Sequence, residues 1–81
     1  MKKIGTVTHY FDHIQVAVLD LAGKIAVGDQ INIVGKTGPK FSQTISSMQI
    51  NHELVETAKK GDEVAVKMDM PVKAGDIIAK V

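Results

Sequence analysis

The sequence contains no cysteine, no arginine and no tryptophan. Without cysteine there are no disulfides, no thiolate zinc sites and no thiol nucleophile. Without arginine, the bidentate fork that grips phosphate or guanine is missing, and lysine offers only a point charge instead. Long apolar runs are also absent: nothing approaches the roughly 20 residues that a membrane helix needs. Met1-Lys2-Lys3-Ile4-Gly5 carries two lysines with no apolar segment behind them, so it does not read as a signal peptide. The expectation is a soluble, cytoplasmic protein without membrane contact. Net charge is small, since ten lysines face nine acids and leave +1. That balance lends no support to dedicated nucleic-acid binding and does not forbid it. The only aromatics are Tyr10, Phe11 and Phe41.

What remains suits one small β domain spanning residues 1–81. With 44% apolar residues in 81 there is material for one core, although a chain this short buries only about 60% of its unfolded surface. The dominant period is two. Ile4 to His9 alternates, His13-Ile14-Gln15-Val16-Ala17-Val18-Leu19 is rich in β-branched residues, and Gln30 to Val34 and Glu63 to Asp69 alternate cleanly. Ile77 to Val81 reads as a closing apolar strand. Phe41 to Ile50 reads as a longer strand whose apolar positions change parity midway, which predicts a β-bulge near Ser46-Ser47. Six short strands separated by turn signals predict a sandwich or barrel. One segment argues for helix: Asn51 to Gly61 has a cap residue, early acids, late lysines and a terminal glycine, predicting at most a turn or two around Glu56 to Lys60.

Three times the chain writes Gly-Asp, skips one residue and enters a β-branched position: Gly28-Asp29, Gly61-Asp62 and Gly75-Asp76. Glycine supplies the positive φ of a tight turn, and the aspartate carboxylate accepts backbone N–H bonds that hold the entering strand in register. These six residues are expected to be structural.

Set among their neighbours, these turns resemble domain 2 of elongation factor Tu and its relatives. The matching phrases are Gly5-Thr6-Val7, Val27 to Gly35, Ser47-Met48, Ala58 to Val66 and Lys73 to Ala79, in that order. His9-Tyr10-Phe11-Asp12-His13-Ile14 followed by Val16-Ala17-Val18, and Phe41-Ser42-Gln43 before Ser46-Ser47-Met48-Gln49-Ile50, also look like the C-terminal barrel of the collagenase-like peptidase family. Beginning at methionine and ending with the last strand, the chain resembles the free-standing copies of that barrel known as elongation-factor-like proteins. The resemblance implies an all-β fold, a closed six-stranded Greek-key barrel whose closure removes exposed sheet edges.

Candidate sites are few. Gly35-Lys36-Thr37-Gly38 ends like a nucleotide-binding P-loop, but Gln30 stands where that motif needs glycine and no helix follows, so a hairpin tip is expected and nucleotide binding is not. His9, Asp12 and His13, with His52, have metal-ligand chemistry at the wrong spacing for a helical zinc pair; exposed or half-packed histidines flanking a turn are expected, with no metal and no other cofactor. Ser42, Ser46 and Ser47 lack an elbow glycine, and no carboxylate pair stands out, so the chain reads as non-enzymatic. The remaining candidate is a contact surface of His9, Tyr10, Phe11, His13, Lys36 and Lys40. Consecutive aromatics on a strand face opposite ways, so either one ring is exposed or the turn rotates both into the barrel end. An exposed ring beside histidine and lysine would stack a base and screen phosphate.

The resemblance implies a module that contacts tRNA, other RNA or a ribonucleoprotein in translation or RNA modification. Ser47, however, stands where the elongation factors often have an acid. The alternative is a protein-interaction module that docks on a larger peptidase-like or RNA-modifying enzyme, and the near-neutral charge favours it.

Overall fold

Each Gly-Asp pair completes the same four-residue device. In the computed structural model, which describes residues 2–80, the backbone N–H of Asp29, Asp62 and Asp76 donates to the carbonyl three residues earlier, on Ala26, Lys59 and Lys73, at 3.0 Å each. The N–H of that same earlier residue donates back to the aspartate Oδ2 at 2.9, 3.0 and 2.9 Å. The glycines between sit at φ of 95°, 92° and 98°, the third-residue conformation of a type II turn. Nothing lies within 4 Å of a Cβ added at Gly61, so backbone conformation alone penalises a side chain there. Gly61→Ala is therefore expected to lower the unfolding free energy by about 1–2 kcal/mol, read in urea as a lower midpoint at unchanged slope. An unchanged midpoint would mean that the turn does not need its positive φ.

Between the turns the alternating segments become strands: β1 (Lys2–Phe11), β2 (Val16–Leu21), β3 (Ile25–Ala26), β4 (Gln30–Gly35), β5 (Gly38–Thr44), β6 (Met48–Ile50), β7 (Glu53–Val55), β8 (Thr57–Ala58), β9 (Glu63–Lys67) and β10 (Ile77–Lys80). The last expected strand thus holds as far as Lys80, and Val81 lies outside the described residues. All ladders are antiparallel, in an eight-stranded sheet ordered β5-β4-β10-β1-β2-β9-β6-β7 with β3-β8 as a separate pair. One face packs inward: Ile4, Val7, Leu19, Ile31, Ile33, Met48, Val64, Val66 and Ile78 are almost wholly buried. Along β2, β4 and β9 the buried positions alternate with less buried neighbours. In β1 the alternation is interrupted by two bulges, where the register slips past Ile4 and past Thr8.

Four expectations change. The sheet does not close into a six-stranded barrel; among the described residues no ladder joins edge strands β5 and β7. The reason lies in the Phe41–Ile50 run. It is not one bulged strand but two, because Ile45-Ser46-Ser47 leaves the ladder, after which β5 keeps β4 as its neighbour and β6 pairs with β7 and β9. The break is tied down by Gly28 N–H to Ile45 C=O and Ile45 N–H to Asp29 C=O, each 2.9 Å. Gln43 spans the gap. Its Nε2 donates to Lys67 C=O at 2.9 Å and its Oε1 accepts from Asp69 N–H at 2.8 Å.

Nor does helix form around Glu56 to Lys60. Asn51 and His52 both adopt positive φ, 53° and 65°, which makes a two-residue hairpin turn joining β6 to β7. Val55 and Thr57 then continue extended, as β-branched residues prefer, and Lys59–Asp62 is already committed to the second aspartate turn. Finally, His13 to Gln15 is turn and not strand, so β2 starts at Val16.

Candidate functional site

Tyr10 and Phe11 take opposite faces. Tyr10 packs against the core, while Phe11 is 51% exposed. His9 shares the outer face with Phe11, their ring centroids 6.4 Å apart and their planes at 30°. Register places the next strands beside them: Phe11 opposite Val16 and His9 opposite Val18 on β2, then Val16 opposite Lys67 and Val18 opposite Ala65 on β9. Gln49 on β6 follows Ala65, and Leu54 on β7 follows Gln49.

The result is an open groove of about 390 Å³ floored by Val16, Val18 and Ala65 and walled by Phe11, Ile14, Gln49 and His52. Ile14 is 62% exposed and Leu54 74%. A second groove of about 440 Å³ shares Val18, Gln49, His52 and Ala65 and extends towards Asp62 and Glu63. Both line the outer face of one sheet, so they form a continuous channel along β9 that changes from apolar to acidic. Asp20 stands directly opposite Glu63 in the β2–β9 ladder, and neither makes an ion pair among the described residues.

Of the residues read from sequence, His9 and Phe11 are on this face, and His52 joins them. Tyr10 is half-buried against the core, on the face opposite Phe11. His13 is fully exposed in the turn beyond β1, with its Nε2 3.9 Å from Asp12 Oδ1. Among the described residues, no three His, Asp or Glu side chains gather into a group that could hold a metal.

The two lysines lie elsewhere. Lys36 is on the tip of the β4–β5 hairpin, which Gly35 and Gly38 close as a pair. With Lys40 and Lys73 it lines a cleft of about 360 Å³ against Gly75 and Asp76, which has no lining residue in common with the groove. Three strands, β4, β10 and β1, separate that hairpin's far strand from β2. Lys40 is the extra residue of a bulge, since Ile33 pairs with Phe41 and Val34 with Pro39. That bulge turns its Nζ to Asp76 Oδ2 at 2.9 Å. Burial of the Asp76 carboxyl pushes its pKa up, but the Lys73 N–H and the Lys40 ammonium outweigh that and hold it below the ordinary aspartate value. Lys40 is thus paired with Asp76 and lies in a different cleft from the aromatics.

Sequence reading does not single out Ile14, Val16, Val18 or Ala65 as contact residues. A signal exists all the same: Val16-Ala17-Val18-Leu19 is apolar at consecutive positions, which marks a strand covered on both faces. Ala17 and Leu19 fill the core, and Val16 and Val18 are left for something outside it.

Comparison with known proteins agrees with one of the two resemblances. Residues 2–79 match the model of the family described as the peptidase family U32 C-terminal domain. Over 74 residues, 91% of this chain, the sequence is 42% identical to an uncharacterized protease of Methanocaldococcus jannaschii; that stretch is 18% of the protease's length. Two crystal structures of the C-terminal domain of a Geobacillus thermoleovorans protein assigned as a U32 peptidase share the fold. One, a selenomethionine variant, has a TM-score of 0.92 and 18% identity, covering 99% of this chain and 100% of that one. The other has a TM-score of 0.91 at 18% identity, covering 99% and 92%. These matches support the peptidase-type domain and lend nothing to the elongation-factor resemblance.

Proposed function

The chain belongs to the peptidase family U32 C-terminal domain family, and from that premise we propose that it is a non-catalytic module that docks on a larger peptidase-like protein. One observation carries this reading: an apolar channel open on the outer sheet face, with Phe11 and Ile14 more than half exposed above Val16, Val18 and Ala65. A strand apolar on both faces normally meets a second layer. In the M. jannaschii relative, the matching stretch is a small part of a much longer chain, and that longer body is the occupant proposed for the channel.

The test uses whole chains. The matching segment of the M. jannaschii protease is exchanged for this sequence, and hydroxyl-radical labelling of Phe11 and Ile14 is compared between the chimera and the free 81-residue protein. Labelling is expected to fall several-fold in the chimera, as for anchors buried at an interface. Phe11→Ala is expected to weaken docking by more than about tenfold, the usual loss for a central aromatic, read as restored labelling of Ile14. Equal labelling of Phe11 and Ile14 in the chimera and the free protein would refute docking through this face. Salt-sensitive binding of tRNA by the free protein would instead favour the RNA-binding reading.

A further inference from the structure

The channel is not uniform along its length, and its far end holds an arrangement that the fold does not need. Asp20 and Glu63 are directly opposed across the β2–β9 ladder, both exposed; Glu63 lines the second groove together with Asp62, and Asp20 stands beside it on β2. Like charges facing each other across a ladder destabilise it. The ion pairs of Lys40 and Lys80 go to Asp76 and Asp29 and relieve nothing here. At the other end, Lys67 faces Val16 beside Phe11 and Ile14.

Resting on the docking reading above, we infer that the channel receives an extended segment of the larger protein that presents a large apolar side chain at the Phe11–Ile14 end and a lysine or arginine at the Asp20–Glu63 end. Four residue steps along β2 separate Val16 from Asp20, a span of about 13 Å at the strand rise. An extended segment alternates its side chains with the same period, so positions four apart on one of its faces reach both ends. The apolar anchor is removed from water over Val16, Val18 and Ala65. The basic group then sits between two carboxylates and turns their mutual repulsion into attraction. Charge of this kind at the edge of an interface acts mainly on recognition and on the salt dependence of association.

The same chimera distinguishes this inference from the reading it rests on. With Asp20→Asn and Glu63→Gln together, labelling of Phe11 in the chimera is expected to rise roughly fivefold, the effect of losing two partly exposed ion pairs. High salt is expected to produce the same rise in the parent chimera and no further rise in the double variant. The free protein carrying both substitutions is expected to melt no lower than the parent, because only repulsion has been removed. If the parent chimera protects Phe11 and the double variant protects it equally, the channel does not read a basic group and the inference fails while docking stands. If the parent chimera labels like the free protein, docking itself has failed.

Discussion

Asp76→Ala is expected to lower the unfolding free energy by about 3 kcal/mol, the largest loss among the three turn aspartates. All three carboxylates accept the same local N–H bond, so the local device does not distinguish them. The surroundings do. Asp76 is only 7% exposed, binds Lys40 on β5 at 2.9 Å, and its turn is fastened to β1 by Asp76 C=O accepting from Val7 N–H at 2.8 Å and Gly75 N–H donating to Val7 C=O at 2.7 Å. Asp29 has a longer pair with Lys80, 3.4 Å, and Asp62 has no ion pair among the described residues. The expected order of damage is therefore Asp76, Asp29, Asp62, with about 1 kcal/mol for the last, as for loss of an exposed cap. For a domain of this size, a loss of about 3 kcal/mol moves the melting temperature by roughly 15 °C, which calorimetry resolves easily. Equal losses at all three positions would show that the Lys40 pair contributes nothing.

The same carboxylate has a pH signature. Its pKa is lower folded than unfolded, so it stabilises the protein fully above the ordinary aspartate range. That contribution disappears as pH falls through the folded value. The stability difference between the native protein and Asp76→Ala should accordingly be constant near neutrality and shrink only in acid, below about pH 4. A difference that instead shrank on the alkaline side would rule out the assignment.

Gln43→Leu is expected to cost about 2–3 kcal/mol, because one substitution removes both hydrogen bonds of a buried bridge. The leucine would match the glutamine in bulk, yet Asp69 N–H and Lys67 C=O would be left without their partner. Gln43→Glu separates the two halves: a carboxylate still accepts from Asp69 N–H but presents a second oxygen to Lys67 C=O, so it should also destabilise. Because the bridge joins β5 to the far end of β9 across the open part of the sheet, hydrogen exchange should accelerate first at Lys67 to Asp69 and along β5. Stability unchanged in both variants would show that water replaces the amide there.

Asp76 and Gln43 illustrate what sequence reading reaches. The aspartate turns are legible because their chemistry is complete within four residues, and glycine followed by aspartate states it openly. The adjacency of Tyr10 and Phe11 makes an exposed ring one of two outcomes that the period of a strand allows, and only the structure shows that Phe11 is the one outside. Gln43, by contrast, is an ordinary polar residue until β5 and β9 are brought together. Lys40 reads as one more lysine of a contact surface until a bulge brings it to Asp76. The facing of Asp20 and Glu63 depends on a register between segments distant in the chain, which no local pattern encodes. The Asn51-His52 turn misleads because asparagine before acids is also a helix cap, and only the pairing of β6 with β7 decides between them.

The aspartate turns also bear on how the chain finds its fold. Its strands pair over long distances, with Lys2 beside Lys80 as the extreme, and domains built on such pairings fold slowly because loop closure precedes any reward. Each aspartate turn needs no distant partner to form its two reciprocal bonds. The turns can therefore bias three reversals of direction while the rest of the chain is still searching, so that β4, β9 and β10 each begin the search already pointed the right way.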